Sequence, residues 1–148
     1  MLSLDKTDKL IVNALLENSR LSFRQISKKI GVSVATVMYH VRDLEANGIL
    51  KKYSALINYE LLGYDIEVII DVRISKGKFQ LFSQKVKNEP NVFGIYDNTG
   101  HFDATILARF LNRKSMDQFL KKLQSYDFVE RTETKMILST IKEEGIKV

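Results

Sequence analysis

Apolar residues recur at helical spacing three times in the first 48 positions, then switch to strict alternation beyond position 65. The first stretch predicts a helix over Leu4–Asn18. Ile11 and Leu15 form its main apolar face, Leu10, Val12 and Ala14 widen that face, and Asp5 and Asp8 suit its positive end. Phe23, Ile26 and Ile30 mark a second helix, with Ser22 where an N-cap accepts backbone N–H bonds. Gly31 supplies a turn residue that tolerates positive φ, and Ser33 restarts a helix. Val37, Val41 and Leu44 are the inward stripe of that third helix, which closes at Gly48. Ala35, Thr36, Tyr39, His40 and Arg42 are left on its other faces. A helix, a glycine turn and a second helix make a helix-turn-helix, whose second helix can enter a DNA major groove. An ordinary helical hairpin in a globular core shows the same spacing. Ile49–Ile57 is β-branched and aromatic enough for a strand or hairpin arm, which would complete a winged helix-turn-helix. Lys51 and Lys52 would then lie where the wing approaches phosphates.

Asn58–Gly63 reads as a connector. Beyond it, Ile66, Val68, Ile70, Val72 and Ile74 alternate with Glu67, Ile69, Asp71 and Arg73 as a half-buried strand. Phe79, Phe82 and Val86 mark a helix stopped by Pro90. Val92–Tyr96 and then Ala104, Ile106, Ala108 and Phe110 predict two more strands. Met116, Phe119, Leu120 and Leu123 predict a second helix, and Phe128–Ile141 a final long strand. The helix anchors Phe79, Phe82 and Val86 recur 37 positions later as Met116, Phe119 and Leu123. Two β-α-β units in tandem predict a ferredoxin-like βαββαβ sheet with both helices on one face. Ile69 and Leu107 then point to the uncovered face, which motivates a partner subunit as its lid.

The chain is thus expected to be α+β, with a winged helix-turn-helix over 1–57, a linker over 58–64 and a βαββαβ domain over 65–148. A hydrophobic content of 45% over 148 residues is ample for packed cores. Residues 1–58 hold nine Lys/Arg against five Asp/Glu, and the remainder 14 against 13, so most of the net +5 sits with the helical half. A polyanionic partner for that half follows, although a merely soluble surface can show the same imbalance. The absence of cysteine excludes disulfides, cysteine-ligated zinc and cysteine nucleophiles, and fits a cytoplasmic protein. The N-terminus has no apolar run of a secretory signal, and no stretch is long enough to span a bilayer.

These parts in this order resemble the Lrp/AsnC (feast/famine) transcription regulators along essentially the whole chain. The marks are LDKTDKLIVNALLENSR at the start, FRQISKKIGVSVATVMYHVRDLEANGIL through the reading head, INYELLGY in the linker and TGHFDATILAR in the second domain. The last resembles the family's T-G-x-x-D turn, and Leu44–Ile49 resembles its Leu-Glu-x-x-Gly-Ile helix close. The resemblance implies a DNA-binding homodimer, often assembled into tetramers or octamers, whose second domain binds a small effector, commonly an amino acid. It places Ser33, Ala35, Thr36, Tyr39, His40 and Arg42 at recognition-helix positions that face DNA, and Ser22 and Arg24 at phosphate contacts; Lys51 joins them from the wing. Arginine and tyrosine can reach phosphate, guanine edges or a thymine methyl, and small Ala35 and Thr36 permit close approach. Two departures stand out. Position 40 is usually arginine and is histidine here, and Asp43 occupies a place that is often basic. Both weaken the electrostatic grip, and His40 can make binding pH-sensitive or simply be solvated.

The turn Asp97–Asp103 is the candidate effector site, with Asn98, Thr99, Gly100, His101 and Asp103, and with Thr132 and Thr134 on the last strand as further candidates. Gly100 lets backbone approach a ligand, Asp103 can accept an amino group, and Thr99 with nearby N–H groups can hold a carboxylate. A hairpin turn held by its own Asn98 and Asp97 side chains is the plain alternative. An enzyme is not expected: the chain has two histidines and no P-loop, dinucleotide fingerprint or nucleophile elbow. His101 with Asp103 falls short of a metal site, so no metal or cofactor is expected. A stand-alone amino-acid sensor or assembly module without DNA binding is the alternative function. Membrane association has no support in any basic amphipathic stretch.

Overall fold

The computed structural model describes residues 3–148, which divide into two units: 3–57 with 142–148, and 58–141. The first unit holds α1 (Lys6–Glu17), α2 (Phe23–Ile30) and α3 (Val34–Ala46). Local chemistry starts each helix. Asp5 and Asp8 form a reciprocal capping box on α1, Ser22 and Gln25 do the same on α2, and Ser33 caps α3 through the Thr36 amide. Gly31 closes α2 in the left-handed region at φ 76°. Ile11, Val12, Leu15, Ile26, Val37, Val41 and Leu44 then meet in one buried cluster, so the inward stripe of α3 is as expected.

The expected β arm over Ile49–Ile57 does not form as a strand. Residues 51–57 are all exposed, and no neighbouring strand supplies ladder partners, so β propensity has nothing to pair with or pack on. What fixes this segment is a side chain: the Tyr53 hydroxyl donates to Glu45 Oε1 at 2.8 Å. Partial desolvation of its hydroxyl at that contact, reinforced by the carboxylate, pushes the Tyr53 phenol up to about 12.

The second unit opens with a 3₁₀ turn (Glu60–Leu62) and continues as β1 (Ile66–Ile74), α4 (Phe79–Val86), β2 (Val92–Asp97), β3 (Ala104–Phe110), α5 (Arg113–Gln124) and β4 (Val129–Met136). The strands form one antiparallel sheet in the order β2-β3-β1-β4, which is the expected ferredoxin-like arrangement. Ile70 faces Ile106 on one side and Thr134 on the other. Val68, Ile70, Val72, Ala104, Ile106, Ala108 and Phe110 pack with Phe82 and Val86 of α4 and Met116, Phe119 and Leu123 of α5. The 37-residue echo of helix anchors thus marks two helices on one face. Burying each large side chain contributes roughly 1.5–3 kcal/mol. β4 stops at Met136 rather than Ile141, and Leu138 and Ile141 are more than 90% exposed. Residues 142–148 lie with the three-helix unit rather than with the sheet, and the connector 58–64 lies with the sheet.

The opposite sheet face is a field of paired charges around Ile69 and Leu107. Arg109 Nε donates to Glu67 Oε2 at 2.8 Å, and its guanidinium lies 4.6 Å from the Tyr59 ring centre and 4.0 Å from that of Phe93. Lys135 Nζ donates to Asp71 Oδ2 at 2.7 Å. Burial pushes the Asp71 carboxyl up, but hydrogen bonds from Lys135 and Thr105 and the lysine charge outweigh it, leaving it below the usual carboxylate value.

Candidate functional sites

On α3, burial of Val37, Val41 and Leu44 turns the opposite face outward. Ala35, Met38, Tyr39, Arg42 and Asp43 line an open depression of about 400 Å³ on that face. Tyr39 is 71% exposed, and no ion pair among the described residues holds Arg42 or Arg24. Ser22, Arg24, Ser33, Ala35 and Lys51 are also exposed, and Thr36 is half-buried. Ser33 and Thr36 are coupled, with their hydroxyls 2.8 Å apart, and Ser22 Oγ accepts from the Gln25 amide. Both serines therefore set the start of a helix as well as lying on its rim. Met38 was not singled out from sequence. Its signal was its place three residues after Ala35 and four before Arg42.

His40 does not face outward with its neighbours. Its Nδ1 lies 2.7 Å from Asp8 Oδ1, and both side chains are largely buried. Asp8 Oδ2 meanwhile accepts from the Asp5 amide, closing the α1 capping box. Burial pushes the Asp8 carboxyl up, but the hydrogen bonds from His40 and Asp5 and the histidine charge hold it below the usual value. His40 thus ties α3 to the start of α1, and its expected place on the outward surface is corrected. Nothing in the sequence pairs position 8 with position 40. Asp5, Asp8 and His40 bring ligand-type atoms within 4.8 Å of one another, but the hydrogen bonds above already engage these side chains.

In the sheet unit, the turn after β2 is held at both ends. The Asn98 amide donates to the Asp103 carbonyl, and the Asp103 amide to the Val72 carbonyl, each at 2.9 Å. Gly100 takes φ 115°, and Thr99, Gly100 and His101 are exposed. The Asp103 carboxylate has a structural task. β1 shifts register between Arg73 and Ile74, and Asp103 Oδ2 accepts the Ile74 N–H at 2.7 Å. Arg73 donates to the His101 carbonyl at 3.3 Å.

Asn98 Nδ2 donates to Thr105 Oγ1, which donates to Asp71 Oδ1, each at 2.5 Å. With Lys135, this relay joins the turn to the middle of the helix-free face and on to β4. Thr132 and Thr134 are not brought to the turn. Val72 separates Thr132 from Ala104, two strand spacings or roughly 10 Å across the sheet. The Thr132 hydroxyl accepts from Gln124 Nε2 at 2.9 Å, and Thr134 is exposed.

The comparisons with known proteins match the chain in two stretches. Residues 4–51 match the family model for winged helix-turn-helix DNA binding, and 67–146 match the Lrp/AsnC ligand binding domain. An HTH-type transcriptional regulator of Pyrococcus abyssi is 34% identical over 141 residues, covering 95% of this chain and 96% of the relative. The HTH-type regulator FL11 of Pyrococcus furiosus is 31% identical, covering 95% and 93%. A Neisseria meningitidis transcriptional regulator, solved as its L-Met complex, superposes with a TM-score of 0.90 at 29% identity, covering 96% of this chain and 94% of its own. Escherichia coli AsnC superposes with a TM-score of 0.90 at 25% identity, covering 99% and 100%.

Proposed function

The chain belongs to the Lrp/AsnC family of DNA-binding transcriptional regulators, and from that premise we propose how its surfaces divide the work. The outward row of α3 reads the DNA: Tyr39 and Arg42 contact bases and phosphate, and small Ala35 lets the helix approach closely. Ser22, Arg24, Ser33, Thr36 and Lys51 contact the backbone around it. The observation that supports this reading is the exposed Tyr39–Arg42 row, presented with no ion pair among the described residues to hold its arginine. His40 serves the reading helix from behind through Asp8.

The active species is a homodimer that closes the helix-free sheet face, with tetramers or octamers as further assemblies. Support comes from Ile69 and Leu107 at the centre of that face and from exposed Leu56, Leu61 and Leu62 in the segment before it. The effector is an amino acid held at Asn98–His101. Thr99 and exposed backbone N–H groups meet its carboxylate, and the Asn98–Thr105–Asp71 relay carries the event to the sheet face. The L-Met complex of the Neisseria relative supports that ligand class. Asp103 holds the turn, and Thr132 and Thr134 lie apart from it. The protein works as a cytoplasmic regulator without catalysis. No helix among the described residues is long and apolar enough to cross a membrane.

Two measurements test the scheme. In a gel shift on the DNA upstream of its own coding sequence, Tyr39→Ala and Arg42→Ala should each weaken binding by about 1–3 kcal/mol with an unchanged oligomer. A change of oligomer size would place them in packing instead. In a thermal-shift screen of the 20 amino acids, one or a few should raise the midpoint, and Thr99→Ala should remove that rise. A rise that survives Thr99→Ala moves the effector elsewhere.

A further inference from the structure

The outer face of α1 is unusual for a surface helix. Leu10, Asn13, Ala14 and Glu17 follow the i, i+3, i+4, i+7 stripe, with Leu16 flanking it. Leu10, Ala14 and Leu16 lie outside the buried cluster of the three-helix unit, yet Ala14 is only 2% exposed. Leu10 and Leu16 keep 39% and 45% exposure, so this side is covered in part, over Ala14. The cover on this side comes from the far end of the chain. Asn13 Nδ2 donates to the Val148 main-chain oxygen at 2.9 Å, and the Val148 N–H donates to Asn13 Oδ1 at 3.0 Å. Gly145 lies against Leu16, whose Cδ2 would be 2.5 Å from a Cβ at that position. Lys147 Nζ donates to Glu17 Oε1 at 3.2 Å, and Glu17 is also paired with Lys29 of α2.

We propose that residues 142–148 are a strap whose seat is the outer face of α1, and that the DNA-reading unit is complete only with them in place. Asn13 recognises the backbone of the strap in the manner of a strand partner, so its grip is independent of the side chain at 148. Lys147 and Gly145 supply register: the lysine meets Glu17, and the glycine lets the chain pass close to Leu16. Because α1 contributes Ile11, Val12 and Leu15 to the cluster that carries α3, a brace on α1 steadies the reading helix. The strap follows β4, so the chain passes between the two units twice, at 57–58 and at 141–142.

The chain has no cysteine, so the full-length double variant Leu16→Cys/Gly145→Cys carries one possible disulfide. Oxidised glutathione, itself reduced as the two thiols lose their hydrogens, should close it within one chain, giving a monomer band on a non-reducing gel. Persistent free thiols would show the seat empty, and an interchain dimer would show it filled by a second copy; either overturns the proposal. In hydrogen exchange, full-length Asn13→Ala should speed the α1 amides about tenfold, the size expected from losing two net hydrogen bonds, and leave α5 unchanged. Alanine is the better helix former, so without a docked strap the same change leaves α1 exchange unaltered or slower. That result too would overturn the proposal.

Discussion

The two polar surfaces of this molecule are built in opposite ways. On the outward row of α3, Tyr39 and Arg42 stand in solvent, and no ion pair among the described residues holds the arginine. On the helix-free sheet face, charge meets charge: Glu67 with Arg109, Asp71 with Lys135, and Arg73 with Glu130 at 3.5 Å. The difference fits the roles proposed for the two surfaces. A surface for DNA keeps its cations available, because its affinity comes from neutralising phosphates and reading base edges. The pairing on the sheet face suits its proposed burial against a second copy, because an unpaired buried charge is expensive.

The sharpest way to break that comparison is to orphan a charge on the paired face. Arg109→Ala leaves Glu67 largely buried and removes the cation between Tyr59 and Phe93. It should lower unfolding stability by about 2–4 kcal/mol in urea, with intrinsic DNA contacts untouched. A loss below about 0.5 kcal/mol would mean the face is solvated rather than preorganised. On the open surface the helix caps matter more than the charges for folding. Ser22→Ala removes the acceptor for the Gln25 amide and half the capping box, with an expected loss of about 1 kcal/mol by thermal melting.

Acid should separate paired carboxylates from exposed ones. Asp71 and Asp8 have folded values below their ordinary 3.8, so their contribution is present above that value and is lost as pH falls through the lower folded one. The stability curve should therefore fall on the acid side below about pH 4. Asp71→Asn should flatten that limb, whereas an unchanged limb would assign the acid sensitivity to other groups. The smallest effect expected is at the reading surface's edge: Lys51→Ala should reduce the slope of log affinity against log salt by about one, as one phosphate contact predicts. An unchanged slope would place Lys51 outside the interface, in keeping with the missing strand at 49–57.

Most of the architecture was legible because its signals are local or periodic. The alternation Ile66–Ile74 and Ala104–Phe110 identified both central strands, and the Phe79/Met116 echo identified both helices and their common face. Caps at Ser22 and Ser33 were equally plain, since a hydroxyl three residues before an amide is a local arrangement. The site was only half legible. Outward Ala35, Tyr39 and Arg42 follow from helical period once Val37, Val41 and Leu44 face inward, but the same period cannot say what waits on the flank where His40 lies.

By itself, then, the sequence determined where the five helices and the four strands of the sheet lie, which side of each is apolar, and which half carries the positive charge. These depend on neighbours within a few residues. Tertiary structure alone decided that His40 bonds Asp8, that Asp103 answers an N–H freed by a register shift in β1, that Ile49–Ile57 finds no strand partner, and that Val148 pairs with Asn13. Each of these turns on a partner, found or missing, that lies far along the chain. A propensity for pairing becomes structure only where folding delivers such a partner, and no local pattern records that delivery.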